Sequence, residues 1–506
     1  MQKSLFLYSD KEIGNKEELI MSMIRVENLT FSYPSSFDPV FENANFQIDT
    51  DWKLGFVGRN GKGKTTLLKL LQGEYEYRGK ITSSVKFDYF PFEVSDKTQF
   101  TEDVLREICP LAKEWEVIRE LSYLKVEETV LWRPFETLSN GEQTKVMLAA
   151  LFLNEAHFLL IDEPTNHLDV AARRQVADYL NRKKGFILVS HDRQLLDRCV
   201  DHILSLNRAD IEVQSGNFSS WKENFDRQQK FETAKNERLR RDIRRLKESA
   251  KQTENWSDRV EASKRGAADK GYVGHKAAKM MKRSKTVEAR QQKAVEEKSK
   301  LLRNAESAEL LKINPLAYHS DTLVSFSETA VFYEGCQVCG PLTFKVRGGE
   351  RVILNGRNGS GKSSLLKLLL KAPIDYTGTV TIGSGLVISY VPQDTSHLQG
   401  TLTEFAEKNN LEESLFKAIL RKLDFERVQF EKDMKDFSAG QKKKVLIAKS
   451  LCEPAHLYIW DEPLNYIDIY SRIQIEEMIT QFSPTMLLVE HDVAFREKIG
   501  ARVVEV

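Results

Sequence analysis

The chain carries the same phosphate-binding signature twice, and this duplication constrains its fold more than any other feature. The first copy reads Gly58-Arg59-Asn60-Gly61-Lys62-Gly63-Lys64-Thr65, and the second reads Gly356-Arg357-Asn358-Gly359-Ser360-Gly361-Lys362-Ser363. Other landmarks repeat at nearly the same offset: Tyr33 with Tyr333, Ser139 with Ser438, Asp162-Glu163 with Asp461-Glu462, and His191 with His491. Such a repeat implies two homologous domains of roughly 200 residues, an ordinary domain size.

In G-x-x-x-x-G-K-[S/T] the glycines let backbone N–H groups close around phosphate oxygens, the lysine reaches the β- and γ-phosphates, and the last hydroxyl ligates Mg²⁺. The ATP-binding candidates are therefore Gly58, Asn60, Gly61, Gly63, Lys64, Thr65 and Thr66, and in the second copy Gly356, Asn358, Gly359, Gly361, Lys362, Ser363 and Ser364. Lys53–Val57 and Arg351–Leu354 read as buried strands, and Thr66–Leu71 and Ser364–Leu370 as helices, so each loop has a helix dipole behind it. The apolar runs Phe158–Ile161 and His456–Trp460 each end in two carboxylates. Asp162 and Asp461 are placed to hold Mg²⁺ beside Thr65 and Ser363, and Glu163 and Glu462 to polarise the attacking water.

Between the repeats lies a different kind of chain. Residues 222–312 hold 26 Lys+Arg against 15 Asp+Glu, while the whole chain has a net charge of only +1. A basic segment between acidic domains suggests a polyanionic partner. From Ser219 to Trp256 there is no Pro or Gly, and Phe225, Phe231, Leu239, Ile243 and Leu246 recur at helical spacing. Gly266, Gly271 and Gly274 break the pattern, which resumes near Ala277 and runs to Leu311. Two helices of ~35 residues, each ~50 Å long at 1.5 Å per residue, would make an antiparallel hairpin. The expected division is an N-terminal extension over 1–22 (disordered, or upstream of a true start at Met21 or Met23), a first domain over 23–221, the hairpin over 222–312 with its tip near 256–276, and a second domain over 313–506.

No window approaches the ~20 apolar residues of a membrane-spanning helix, and the N-terminus lacks the pattern of a signal peptide. The five cysteines are an odd, scattered set, which reads as reduced thiols. Cys336-Gln337-Val338-Cys339 has no second ligand pair, so it reads as two small apolar side chains near a turn rather than a metal site.

Leu138-Ser139-Asn140-Gly141-Glu142-Gln143 and Phe437-Ser438-Ala439-Gly440-Gln441-Lys442 resemble the signature loop of ATP-binding cassettes, with Asn140 and Ala439 in place of the first glycine. The resemblance covers residues 24–220 and 323–506. It implies α/β P-loop domains paired head to tail within one polypeptide, so that Lys64 shares a nucleotide with Ser438 and Gly440, and Lys362 with Ser139 and Gly141. It also implies Tyr33 and Tyr333 as adenine-stacking rings, although such a tyrosine also serves as packing. His191 and His491 resemble the switch histidines, and Asp169 and Asp468 the aspartates that couple the sites. Tyr390-Val391-Pro392-Gln393 matches the family's glutamine loop, giving Gln393 as a further Mg²⁺ ligand, whereas Tyr89-Phe90-Pro91-Phe92 does not. Phe92 has no amide to offer, so the first site is expected either to hydrolyse more slowly or to rely on other ligands.

A long basic hairpin between two cassettes resembles the ABC-F family of translation factors. Within it, Trp52-Lys53-Leu54-Gly55, Leu131-Trp132-Arg133-Pro134-Phe135, the run from Tyr458 to Tyr466 and the run from Ala277 to Lys285 resemble the antibiotic-resistance group of the Lsa/Vga type. The resemblance implies a cytoplasmic, ribosome-associated ATPase, monomeric, using ATP and Mg²⁺, with no membrane or DNA partner. In that group the hairpin enters the tRNA exit region, displaces P-site tRNA and dislodges drugs from the peptidyl-transferase centre, with lincosamides, pleuromutilins and streptogramin A implied here. Lys264, Arg265, Lys270, Tyr272, His275, Lys276, Lys279, Lys282 and Arg283 are the candidate RNA contacts; Tyr272 either stacks on a base or is incidental. Two rivals share the ATPase motifs: a housekeeping ABC-F factor and the cytoplasmic ATPase subunit of a transporter.

Overall fold

The computed structural model describes residues 23–34, 39–154, 157–165, 168–206, 211–262 and 310–506, with the backbone alone at 233, 240, 246, 247 and 249–262. The extension over 1–22, most of the tip loop and nearly all of the second hairpin helix lie outside the described residues.

Each half is built around a parallel sheet. In the first half the strand order is Lys86–Phe90, His157–Asp162, Phe186–Val189, Lys53–Gly58, His202–Leu206 and Ile211–Ser215, and only the last pair is antiparallel. In the second half it is Ile388–Val391, Leu457–Asp461, Met486–Val489, Arg351–Asn355 and Arg502–Glu505. The central strands are apolar on both faces because both are covered: Phe186–Val189 and Met486–Val489 are buried at every position. On one face, the helix Lys64–Gln72 and the antiparallel sheet of Phe41–Asp49, Met23–Phe31 and Arg78–Thr82 enclose Ile24, Phe56, Leu67 and Leu160. On the other, helices Thr101–Ile108, Glu114–Tyr123, Asn140–Leu151 and Val170–Asn181 pack around Val104, Leu121, Val146, Ile161 and Val176. The second half repeats both layers, with a sheet of Cys336–Arg347, Thr322–Tyr333 and Asp375–Ile382. Cys336 is exposed and Cys339 buried, on opposite sides of that sheet's first strand.

The helices after the phosphate loops begin at Lys64 and Lys362, two residues earlier than apolar spacing indicated. Their N-cap glycines, Gly63 and Gly361, stand at φ 102° and 85°, a left-handed conformation that glycine adopts without strain. The carboxyl ends of the parallel strands face these helix starts, where ligands of open α/β sheets usually bind.

The long helix runs Phe218–Ala262, past the expected end at Trp256. Nothing stops it there, since no Gly or Pro occurs before Gly266. Its base is fixed to both halves. Phe218 and Trp221 belong to the first half's core cluster, together with Ile469 and Tyr470 of the second. The Tyr470 ring lies 5.6 Å from Phe225 and 6.4 Å from Trp221, edge-on to both.

Buried charges complete the junction between the halves. Arg472, 6% exposed, donates to the main-chain oxygens of Leu464 (2.8 Å) and Ile467 (2.9 Å) in its own half and of His191 (2.9 Å) in the other. Arg193 grips Glu476 through two nitrogens at 2.6 and 3.1 Å. Lys444 donates to Asp468 at 2.7 Å, with the carboxylate fully buried. Burial pushes the Asp468 carboxyl up, but the Lys444 ammonium and the hydrogen bonds outweigh it and hold the group well below the usual carboxylate range.

Removing one partner of such a pair strands the other charge. Lys444→Ala is expected to cost about 3–5 kcal/mol, read as a lowered urea midpoint. A depressed carboxyl stabilises the fold above its unfolded-state pKa of about 4 and loses that contribution only as pH falls further. The gap between wild type and Lys444→Ala should therefore be full at pH 7 and shrink only in strong acid.

Candidate functional site

Two sites form where the halves meet, each from the phosphate loop of one half and the signature loop of the other. The first is tightly closed. Asn60 Nδ2 donates to the Tyr466 oxygen at 2.6 Å, and a Cβ added to Gly440 would lie 2.4 Å from that oxygen and 3.1 Å from Asn60 Nδ2. Glycine is needed at 440 because the Tyr466 backbone of its own half, held by the Asn60 side chain of the opposite loop, occupies the space. Lys64 Nζ donates to the oxygens of Gly58 (2.8 Å), Arg59 (3.2 Å) and Asn60 (Oδ1, 3.1 Å), and His191 Nε2 lies 3.0 Å from Asn60 Oδ1.

The second site is an open cavity of about 950 Å³. Its walls bring together Ser139 and Gly141 with Gly359, Gly361, Lys362, Ser363 and Ser364, and add Asp169, Tyr333, Gln393, Glu462 and His491. Asn358 lines it as well. Lys362 Nζ donates to the oxygens of Gly356 and Arg357 at 2.9 and 2.7 Å. The expected head-to-tail pairing of loops is thus the observed arrangement, made within one polypeptide.

Ion pairs span the first site. Arg59 sits 3.4 Å from Asp424, and Lys62 pairs with Glu426. The matching residues one repeat along are Arg357 and Lys125, and Ser360 and Glu127. The first loop is thus tied to its partner by opposite charges, and the residues matching its acidic partner Asp424 and its basic Lys62 are Lys125 and Ser360.

Each signature serine caps the helix behind it and closes a capping box: Ser139 with Glu142 and Ser438 with Gln441. Asp169 and Asp468 cap the next helix in each half. Thr65 Oγ1 donates to Asp162 Oδ2 at 2.8 Å, and Tyr89 to the same oxygen at 3.0 Å. Asp461 is 1% exposed, yet its Oδ1 has no hydrogen-bond partner. Burial first, and Glu462 against the Ser363 hydrogen bond, push its carboxyl up to about 6.

Glu163 and Glu462 stand at φ 50° and 47°, strained for residues with a Cβ. Their amides still donate to Val189 and Val489 at 2.9 Å, which holds each carboxylate at the sheet edge. Glu163 Oε1 lies 3.4 Å from His191 Nε2, and Glu462 Oε1 3.9 Å from His491 Nε2. Burial, then the Asp162 charge, raise the Glu163 carboxyl to about 8. Burial lowers both histidines, His491 to about 4 with help from Arg173; both are neutral at pH 7. Both His491 ring nitrogens are buried without a hydrogen bond. Unpartnered groups of this kind, facing a nucleotide-sized cavity beside a phosphate loop, fit ATP with Mg²⁺. Mg²⁺ would supply charge neutralisation at the phosphates, and Ser363, Gln393 and Asp461 are the residues that would hold it.

Tyr333 lines the cavity, 44% exposed, with its hydroxyl 3.0 Å from Ser364 Oγ. Tyr33 mirrors the bond to Thr66 at 2.7 Å, but its ring packs edge-on against Phe31 and Tyr75. Phe92 packs into the first core. The nine candidate RNA contacts between Lys264 and Arg283 lie outside the described residues. Sequence reasoning missed Lys443, Lys444, Arg472 and Asn465, whose Nδ2 donates to Glu462 at 2.6 Å. A run of three lysines reads as solvated surface, and only its place inside the apolar helix Ala439–Cys452 hints otherwise.

The family profile described as ABC transporter matches residues 41–166 and 339–465. The chain belongs to that family, as an ATP-hydrolysing protein with two tandem cassettes that uses ATP and Mg²⁺. Its relatives make it a cassette protein of the ABC-F type. It is 27% identical to the ribosome protection protein VmlR of Bacillus subtilis, over 92% of this chain and 84% of the relative. It is 26% identical to ABC transporter F family member 2 of Arabidopsis thaliana, over 98% and 78%. Its fold matches the archaeal ribosome recycling factor aABCE1, crystallised with the ribosomal stalk protein aP1, at a TM-score of 0.61 and 20% identity, over 94% and 87%.

Each catalytic glutamate substituted by glutamine is expected to slow its own site by about 10²–10⁴-fold. In single-turnover assays Glu163→Gln, which leaves the Gln393 site, should retain the faster residual hydrolysis, and Glu462→Gln, which leaves the Phe92 site, the slower. Tyr333→Ala should weaken ATP binding by about 5- to 150-fold, the equivalent of about 1–3 kcal/mol of stacking; Tyr333→Phe should bind nearly as wild type, measured by nucleotide fluorescence titration.

Proposed function

We propose that the chain is a cytoplasmic ribosome-protection ATPase, whose hairpin enters the tRNA exit region, displaces P-site tRNA and dislodges drugs from the peptidyl-transferase centre. The observation that carries this reading is the 45-residue helix rooted in the ATPase and leading into the most basic part of the chain. At 1.5 Å per residue it reaches about 68 Å. Residues 263–312, which follow it, hold 14 Lys+Arg against 6 Asp+Glu, a composition suited to phosphate neutralisation. Along the described part of the helix, Arg227–Glu223 (3.4 Å) and Arg244–Glu248 (2.9 Å) are exposed i,i+4 pairs, as on a solvated rod. The name of VmlR and the likeness in fold to a recycling factor support the same reading, and no described helix is long and apolar enough to cross a membrane. Lincosamides, pleuromutilins and streptogramin A are the drugs proposed.

ATP binding holds the cassettes together and hydrolysis releases the factor. Lys264, Arg265, Lys270, Tyr272, His275, Lys276, Lys279, Lys282 and Arg283 are proposed to contact RNA.

The test is drug susceptibility of a sensitive Gram-positive host expressing the chain, across lincosamide, pleuromutilin, streptogramin A, macrolide and phenicol. Selective protection against the first three is expected. The Glu163→Gln, Glu462→Gln double variant should co-sediment with ribosomes in ATP, less so as salt rises. Ribosome binding without drug protection would assign a housekeeping translation factor; co-purification with a membrane permease would assign a transporter subunit.

A further inference from the structure

Lys443 has a role that no motif assigns. It lies on the helix Ala439–Cys452, five residues after Ser438, and is 2% exposed. Its Nζ donates to the main-chain oxygens of Pro392 (2.8 Å), Asp461 (3.0 Å) and Gln393 (3.3 Å). An ammonium has three donors, and all three are spent on carbonyls at the ends of two neighbouring parallel strands, Ile388–Val391 and Leu457–Asp461. These are the strand ends that bring Gln393 and Glu462 to the wall of the open cavity, with Asp461 buried beside Glu462.

A charge in this position is costly. Burial lowers the Lys443 ammonium to about 8, even against the attraction of Asp461, Glu462 and Glu490. A hydroxyl or an apolar side chain would avoid that cost, and the first half uses one: the matching residue is Thr144. In that half the glutamine position is Phe92, which packs into the core. Glutamine and buried lysine occur together in one half, and both are missing from the other.

We propose that Lys443 is a positioning residue of the second nucleotide site, holding the backbone of Gln393 against that of Asp461 so that amide and carboxylate face Mg²⁺ at a fixed separation. The device works through main-chain oxygens, so it sets where the two ligands stand without touching nucleotide or metal. It rests on the reading of Gln393 and Asp461 as Mg²⁺ ligands.

The experiment uses the full chain carrying Lys443→Thr, which installs the first half's residue. In nucleotide-free, metal-free protein, hydrogen exchange of the amides over 391–394 should rise at least tenfold relative to wild type, while that over 90–93 stays unchanged. In the Glu163→Gln background, where the second site alone turns over, the Mg²⁺ concentration for half-maximal hydrolysis should rise about 10- to 100-fold, as for lost outer-shell support of a metal site. In the Glu462→Gln background it should not move. Equal shifts in the two backgrounds, or none in either, would overturn the proposal. Asp461→Asn separates the two levels. If it leaves the Mg²⁺ requirement unchanged, the ligand reading itself fails; if it raises the requirement and Lys443→Thr does not, only the positioning role fails. Should Lys443→Thr not fold, Lys443→Arg, which keeps the charge but not the three-carbonyl geometry, is read by the same two-background comparison.

Discussion

The structure depends on a buried ionic network around Asp468 and Arg472. Asp468 caps its helix through the Ser471 amide at 3.0 Å, takes the Ser471 hydroxyl at 2.9 Å and pairs with Lys444. One turn on, Arg472 reaches from the second half to the carbonyl of His191 in the first. A guanidinium is suited to this because its rigid fork satisfies several acceptors at once. Breaking any member would leave a charge or carbonyl buried and unpaired. The network therefore sets the relative placement of the halves, and with it the facing of phosphate and signature loops that makes either site.

The same junction joins chemistry to the long helix. Tyr470 lies between Asp468 and Arg472 in sequence, packs against Trp221 and Phe225 at the helix base, and lies under the Arg59 guanidinium at 5.1 Å. Arg59 belongs to the first phosphate loop. One aromatic ring is thus in contact with a nucleotide site and with the root of the projecting arm. The matching residue in the first half is Ala171, which lines the open cavity.

Two duplicated halves have diverged into unlike sites through a few substitutions. The first phosphate loop pairs with Asp424, whose counterpart in the other half is Lys125. Gln393 with Lys443, against Phe92 with Thr144, decides which site has a built glutamine loop. The cavity and the glutamine fall on the same side.

The sequence by itself determined the tandem α/β cassettes, the loops, the carboxylates and the basic arm. These rest on local chemistry: glycines needed for backbone approach to phosphate, apolar strands running into acids, and a helix with nothing to stop it. The early helix starts at Lys64 and Lys362, the closure of the first site and the roles of Lys443, Lys444 and Arg472 were decided by tertiary structure alone. A lysine reads the same in sequence whether it ends in water or on three carbonyls. What separates the cases is burial and the partners that residues far along the chain bring, and neither has a local signature.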